Sequence, residues 1–329
     1  MTVRVVCYGL GPIGLGIARL AAARSGIAVV GAVDVDPQKI GRDLGELLGQ
    51  PPIGVTVSGD AGATLAAGAP EVVLHATSSS LAAVADQLKS IAAAGAHVIS
   101  TCEELSFPWT AQPQLAAELD SAARRAGVTL LGTGVNPGYA MDALPLMLTA
   151  PCASVEAVRV LRIVDAARRR GPLQRKVGAG LAPEEFEARV RAGTVRHVGL
   201  PESLHMLATR LGWRLDRAED SIGAVLADQP IATDVVHVAA GQVAGVRQIA
   251  RGLIGEREVL RLELRMYVGA PDPQDTVEID GSPPVRMSIA GGLHGDIATA
   301  AIVVNAIASI SRATPGLASM ADVPLVHFW

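Results

Sequence analysis

Two adjacent carboxylates, Glu103 and Glu104, stand in the segment STCEEL, directly after a short apolar run at His97–Thr101. A carboxylate at the end of a buried strand can take up and return protons during a reaction. One of the pair also reads as a first-turn helix charge, while the other is free to face a reactant. Near the start of the chain, Gly9-Leu10-Gly11-Pro12-Ile13-Gly14 matches GxGxxG. The apolar run Val3–Tyr8 precedes it and a helical pattern, Ile13–Ser25, comes after it. In that context Gly9 permits a tight turn, Gly11 lets backbone approach a pyrophosphate, and Gly14 lets helix and strand pack closely. Pro12 and Ile13 then open a helix whose N-terminus offers N–H groups and partial positive charge to phosphates. Asp34 ends the next apolar run, where a carboxylate accepts from ribose hydroxyls. The ligand expected is NAD or NADP. Asp34 disfavours a 2′-phosphate, and Lys39 and Arg42 nearby work against that, so the choice between the two stays open.

Ligands of open α/β sheets lie beyond the carboxyl ends of the strands. Three such ends carry polar residues: Thr77-Ser78-Ser79-Ser80, Thr101-Cys102-Glu103-Glu104, and Asn136-Pro137-Gly138-Tyr139. Thr77, Ser78, Thr101 and Cys102 are candidate cofactor contacts, with a helix cap the competing reading for the serines. Asn136, Pro137 and Tyr139 are candidates for the substrate pocket, as is His197, which lies between Arg196 and Gly199 in a loop-like stretch. No His, Cys, Asp or Glu grouping has metal-ligand spacing, so no metal is expected. The basic run Arg168-Arg169-Arg170, with Arg175 and Lys176, reads as a solvated loop or a subunit contact. Thr299 lies in an apolar helical stretch and reads first as helix packing.

The elements that must hold these residues can be read from periodicity. Short apolar runs at Val3–Tyr8, Ile27–Asp34, Val72–Ala76, His97–Thr101 and Val128–Gly132 alternate with helical stretches at Leu81–Ala94 and Pro113–Ala126. A helix start is expected at Asp36-Pro37. This is the pattern of an α/β fold with an N-terminal, doubly wound parallel sheet of Rossmann type. After about residue 150 the pattern changes: Leu260, Leu262, Leu264, Met266 and Val268 alternate with Arg261, Glu263, Arg265 and Tyr267. A period of two predicts an exposed-faced strand in a second, α+β domain with an open mixed or antiparallel sheet. Val155–Val164, Val277–Ile279 and Val285–Ile289 read as further strands. Pro183–Ala192 and Pro201–Leu211 read as helices, as does Asp296–Ile310, and Pro315-Gly316 reads as a terminator of the helical stretch beyond it. The expected boundaries are 1–145 for the dinucleotide-binding domain, 146–292 for a substrate and dimerisation domain, and 293–329 for a helical segment packing back on the first.

Composition narrows the function. The chain has 329 residues, half of them hydrophobic but only 3% aromatic, and a net charge of −4. No basic tail or like-charge run points to nucleic acid or a membrane surface. Three cysteines, Cys7, Cys102 and Cys152, lie far apart. No disulfide framework is implied, which fits a reducing cytoplasm.

Several segments occur together: GLGPIG, HATSS at 75–79, STCEELSFPW at 100–109, GVNPGYAMD at 134–142, RHVGLPES at 196–203, GDIATAAIVVNAI at 295–307 and PGL at 315–317. The set resembles the 2,4-diaminopentanoate dehydrogenases and related native NAD(P)-dependent amine dehydrogenases, within the wider dihydrodipicolinate-reductase-like group. The resemblance implies an oxidoreductase acting on CH–NH2: reductive amination of a ketone or aldehyde with ammonia, or oxidative deamination of an amine. It implies a homodimer, and a catalytic glutamate in the CEEL segment, assigned to Glu104 with Glu103 as the fallback. The alternatives are reduction of a cyclic imine or another C=N or C=O bond without free ammonia, and 2,4-diaminopentanoate dehydrogenase itself. The last requires an acid for a second ammonium group. Asp142, Asp165 and Glu202 are unplaced by sequence, which favours a simple, largely apolar amine.

Overall fold

The computed structural model describes residues 2–168 and 171–329. Arg169 and Arg170 of the basic run lie outside them. The chain forms two compact units, Met1–Tyr139 with His294–Trp329, and Ala140–Leu293.

The first unit is built on β1 (Val3–Tyr8), α1 (Pro12–Ala23), β2 (Ile27–Val33), α2 (Leu44–Leu47), β3 (Val57–Ser58), α3 (Ala61–Gly68), β4 (Val72–His75), α4 (Leu81–Ala93), β5 (His97–Ser100), α5 (Pro113–Ala126) and β6 (Thr129–Gly132). All residues of β4 and β6 are buried, so these strands lack polar alternation, as parallel strands covered on both faces do. Helix α5 buries Ala116, Leu119 and Ala123, one stripe at helical spacing.

The second unit contains α6 (Ala143–Leu148), β7 (Ser154–Asp165), α7 (Gly171–Lys176), α8 (Pro183–Arg191), α9 (Leu200–Arg210), β8 (Arg217–Leu226), β9 (Ile231–Ala232), β10 (His237–Val238), β11 (Val243–Ile254), β12 (Arg257–Tyr267), β13 (Gln274–Ser282) and β14 (Val285–Ala290). Its main sheet has six strands in the order β14-β13-β7-β12-β11-β8. The chain then returns to the first unit through α10 (Gly295–Asn305), α11 (Ile307–Ile310) and β15 (Gly316–Ala318). There α10 packs along α1, with Gly16 facing Ala300, and β15 pairs parallel with β6 to complete a seven-stranded sheet, β15-β6-β5-β4-β1-β2-β3.

The α/β class and the parallel sheet match the reading from sequence. Three local expectations do not. The helix start at Asp36-Pro37 is a turn instead: the Asp36 carboxylate accepts from Gln38 N at 3.0 Å, and Gly41 comes next at φ 83°. The helix waits for Asp43, which caps α2 by accepting from Gly45 N at 2.7 Å. Asp296–Ile310 divides into α10 and α11 at Ala306, and Gly316 begins a strand rather than ending a helix. Of the two forms expected for the second sheet the mixed one is found, since β12 is antiparallel to β11 and parallel to β7.

The charged face of β12 is also less exposed than alternation suggests. Glu263 is only 5% exposed and accepts from Arg247 Nε and Arg265 Nε at 2.7 Å and from Arg261 Nη2 at 3.0 Å. Burial works to raise its pKa, but the three guanidinium groups prevail and hold it at about 2. On β7, buried Arg162 pairs with Asp275 of β13 at 2.6 Å. The same two side chains hold the backbone of Leu293, the last residue of the unit, at 2.7 and 2.8 Å.

No helix among the described residues is long and apolar enough to cross a membrane.

Candidate active site

The glycine turn between β1 and α1 is shaped by what its glycines exclude. Gly9 has φ 89°, and a Cβ there would overlap the Ala76 carbonyl. A Cβ on Gly14 would overlap the Gly9 carbonyl oxygen, so α1 can start this close to β1 only without one. Gly11 differs: a Cβ there would meet no protein atom within 4 Å. Nothing in the fold forbids a side chain at Gly11, so the open space in front of it is available to a ligand. Helix α1 starts with Gly11 as N-cap and Pro12 in its first turn, with no side-chain cap and no acidic residue there. The positive end of its dipole is therefore left to an anion. These features fit the pyrophosphate of a dinucleotide.

Asp34, directly after β2, is 9% exposed. Its Oδ2 accepts from Leu10 N at 2.7 Å and Lys39 Nζ at 3.2 Å, and its Oδ1 from Asp36 N at 2.8 Å. Burial acts to raise its pKa, yet these N–H donors and the Lys39 charge bring it below the usual carboxylate range. The carboxylate is thus tied to the glycine turn itself. Lys39 also reaches Asp36 at 3.3 Å, and Arg42 pairs with Glu46 at 3.8 Å.

Strands β4, β5 and β6 are neighbours, so the three polar strand ends lie side by side. After β5, Cys102 is buried and Glu103–Leu105 forms a single 3-10 turn. That turn lies tight against β6, where a Cβ on Gly132 would overlap the Leu105 carbonyl. The Glu103 carbonyl takes Ser106 N at 3.1 Å and Ser106 Oγ at 2.7 Å. Glu104 points to the next strand end. Its N–H donates to Ser79 O at 3.3 Å, and its Oε2 accepts from Leu81 N at 2.8 Å and Gln112 Nε2 at 2.9 Å. Ser80, the N-cap residue of α4, makes no side-chain cap bond; the carboxylate of Glu104 takes the Leu81 N–H instead. The Cys102 thiol donates to Ser79 O at 3.2 Å, and burial pushes its pKa up to about 12. Thr101 N donates to His75 O at 2.9 Å, and Ser78 Oγ accepts from Ser80 N at 3.2 Å.

Beneath these residues runs a polar network that the sequence does not reveal. His75 is fully buried, with Nδ1 2.8 Å from Ser100 Oγ and Nε2 2.8 Å from Gln87 Oε1. Gln87 Oε1 is an acceptor, so Nε2 carries the proton, and Nδ1 accepts from the Ser100 hydroxyl. Ser100 Oγ in turn accepts from Cys102 N at 3.1 Å, and Thr77 Oγ1 joins Nε2 and Gln87 at 3.0 and 2.9 Å. The chain of bonds fixes the loop that carries both glutamates. Burial lowers the His75 pKa from 6.5 to about 4, against a smaller opposing effect of the Gln87 bond. As pH falls from 6.5 towards 4, the unfolded chain takes up a proton that the fold refuses, so stability is lost over that window. The loss is on the order of 3 kcal/mol in all. Denaturant melts at pH 7 and pH 5 should therefore show a smaller difference in His75→Gln than in the parent; equal differences would mean that this imidazole does not set the dependence.

At the end of β6, Thr133 and Asn136 are 3% and 8% exposed. Among the described residues, Thr133 Oγ1 and both amide atoms of Asn136 have no hydrogen-bond partner. Buried polar atoms left so are costly unless a ligand satisfies them. Thr299 of α10 closes this turn by accepting from Val135 N at 3.2 Å. Pro137 is buried beside Asn136, and Tyr139 is half-buried at the end of the first unit.

Gly9, Gly11, Pro12, Ile13, Gly14, Asp34, Thr77, Ser78, Thr101, Cys102, Glu103, Glu104, Asn136, Pro137 and Tyr139 all belong to the first unit and follow the carboxyl ends of β1, β2, β4, β5 and β6. His197 belongs to the second unit, where its N–H donates to Gln248 Oε1 at 2.9 Å. Gln248 is held in turn by Asp220 at 3.0 Å. Two of the unplaced acids have structural work there: Asp142 accepts from Ser203 Oγ at 2.7 Å and Ala143 N at 2.6 Å, and Asp165 from Ala167 N at 3.0 Å and Gly269 N at 3.1 Å. Glu202 is buried in α9.

Both halves of the chain are similar to known proteins. Residues 3–104 match the dihydrodipicolinate reductase N-terminus, and residues 139–329 match the 2,4-diaminopentanoate dehydrogenase C-terminal domain. The chain is 32% identical to 2,4-diaminopentanoate dehydrogenase of Acetoanaerobium sticklandii, over 98% of this chain and 94% of that protein. It is 27% identical to an amine dehydrogenase of Streptomyces virginiae, over 98% and 96% of the two chains. The solved structure of the amine dehydrogenase from Mycobacterium smegmatis superposes with a TM-score of 0.87 at 27% identity, covering 100% of this chain and 98% of that one. With a dinucleotide cradle in the first unit and both halves matched, the chain belongs to the 2,4-diaminopentanoate dehydrogenase family.

Proposed function

We propose that the protein is an NAD(P)-dependent amine dehydrogenase that joins ammonia to a ketone or aldehyde reductively and runs the deamination in reverse, with Glu104 as its acid–base residue. The observation that carries this reading is the Glu104 carboxylate, fixed through Oε2 at the end of β5 with Oε1 bonded to none of the described residues. Ammonia near neutral pH is mostly ammonium and not nucleophilic. Glu104 Oε1 takes its proton, and the freed nitrogen attacks the carbonyl carbon. The resulting carbinolamine loses water when the same carboxyl returns a proton to the departing hydroxyl. The negative charge then stands beside the iminium cation and stabilises it. When bound, the reduced nicotinamide supplies the hydride. The glycine turn and α1 hold the pyrophosphate, and Asp34 holds the adenosine ribose. Among the described residues nothing pairs with the side-chain donor and acceptor of Asn136, which leaves both for nicotinamide or substrate; Pro137 and Tyr139 are further substrate contacts.

Asp142 and Asp165 are occupied by structural bonds, which supports a simple, largely apolar amine rather than one with a second ammonium group. Free cysteines, with Cys7 and Cys102 buried, support a cytoplasmic setting, and the family resemblance supports a homodimer. The direct test is NADH and NADPH oxidation across a panel of simple ketones and aldehydes, with and without ammonium. Consumption should require ammonium. Turnover at the same rate without it would replace this reading with that of a C=N or C=O reductase.

A further inference from the structure

Glu104 carries three rotatable side-chain bonds, and a carboxylate free to turn would spread its two oxygens over many directions. The structure prevents this with two N–H donors from different elements, both on the same oxygen. Leu81 N belongs to the first turn of α4, and Gln112 Nε2 to the residue just before α5. The Glu104 backbone is fixed as well, through Ser79 O. Among the described residues no donor reaches Oε1. The carboxylate therefore has one oxygen anchored from two sides and one oxygen that the described residues leave available. Leu81 contributes only its backbone, so Gln112 is the side chain on which the orientation depends.

We infer that Gln112 is a positioning residue that aims Oε1 of Glu104 at the reacting nitrogen. This rests on the acid–base role proposed for Glu104. Gln112 is half-buried and remote in sequence from the glycine turn and from Asp34, so its loss should be felt in the chemical step and not in cofactor binding. Removing one hydrogen bond to a charged group at a reacting centre corresponds to roughly ten- to fiftyfold in rate.

The test combines Gln112→Leu and Glu104→Gln, singly and together, in the full-length protein. The readouts are kcat and KM for the carbonyl substrate, the NADH dissociation constant and the melting temperature. Gln112→Leu should lower kcat by roughly ten- to fiftyfold, with KM, NADH binding and melting temperature little changed. In the Glu104→Gln background the same change should have no further effect, because Gln112 acts only through that carboxylate. Gln112→Glu, nearly the same shape but with an acceptor in place of the donor, should lose at least as much as Gln112→Leu and guards against a folding defect in the latter. Parent-like kcat in Gln112→Leu and Gln112→Glu, or a loss that multiplies in the double variant, overturns the inference while leaving the acid–base role standing. Parent-like turnover in Glu104→Gln overturns both.

Discussion

Glu104→Gln should turn over roughly 10²–10⁴-fold more slowly than the parent while binding NADH as tightly and melting at nearly the same temperature. The selectivity of that loss comes from what the carboxylate touches. Leu81 N and Gln112 Nε2 both donate to Oε2. An amide oxygen in the same place accepts from both, so the cap of α4 and the loop after β5 keep their shape. What the amide lacks is a site for a proton and a full negative charge beside a cation. Neither proton removal from ammonium nor stabilisation of the iminium survives the change. Steady-state rates with saturating ammonium and a fluorescence titration with NADH check the two halves separately. A folded variant with undiminished turnover would shift attention to Glu103, the neighbouring carboxylate of the same turn.

The second large effect separates two glycines of one turn. Gly14→Ala places a methyl group on the Gly9 carbonyl oxygen, a backbone atom that cannot swing away. Helix α1 must then part from β1, so melting temperature should fall by several degrees or more, as for a core clash of roughly 1–3 kcal/mol, and NADH binding should fall with it. Gly11→Ala meets no protein atom within 4 Å and should melt like the parent. Its methyl group occupies the approach to the phosphates, so NADH affinity should still drop, by about tenfold or more. Calorimetry with and without NADH distinguishes the two variants. If Gly11→Ala kept full affinity, the pyrophosphate would have to lie elsewhere.

The five central strands of the sheet that carries this site were readable because they are short, apolar and punctuated by glycine, whereas the edge strands β3 and β15 were not. Parallel central strands leave little else for a sequence to do. The reading failed where a side chain served the backbone locally: Asp36 closes a turn rather than opening a helix, and that job passes to Asp43. Strand β11 escaped because Ala244, Gly245, Ala250 and Gly252 interrupt its hydrophobic alternation although the strand is largely buried. Edge strand β8 escaped for the opposite reason: its first half, Arg217–Ser221, is exposed throughout. At the site, Glu104 was visible from its segment, but its anchors were not. Gln112 meets it only because the 3-10 turn and the residues after it fold back on the strand end. Nothing in the sequence joins His75 to its partners, and it is the pairing of β4 with β5 that sets it against Ser100, with Gln87 on its other side.

The half of the molecule that cradles the dinucleotide is not continuous along the chain. Its outermost parallel strand, β15, and the helix lying along α1 are both encoded after residue 293. During synthesis on a ribosome, β6 is made early and must wait with an unpaired edge while Ala140–Leu293 emerges and can form its own sheet. Only when residues 294–318 leave the exit tunnel can that edge be covered. Cofactor affinity should consequently appear late in translation, and nascent chains stalled before residue 318 should be the ones that chaperones and proteases find.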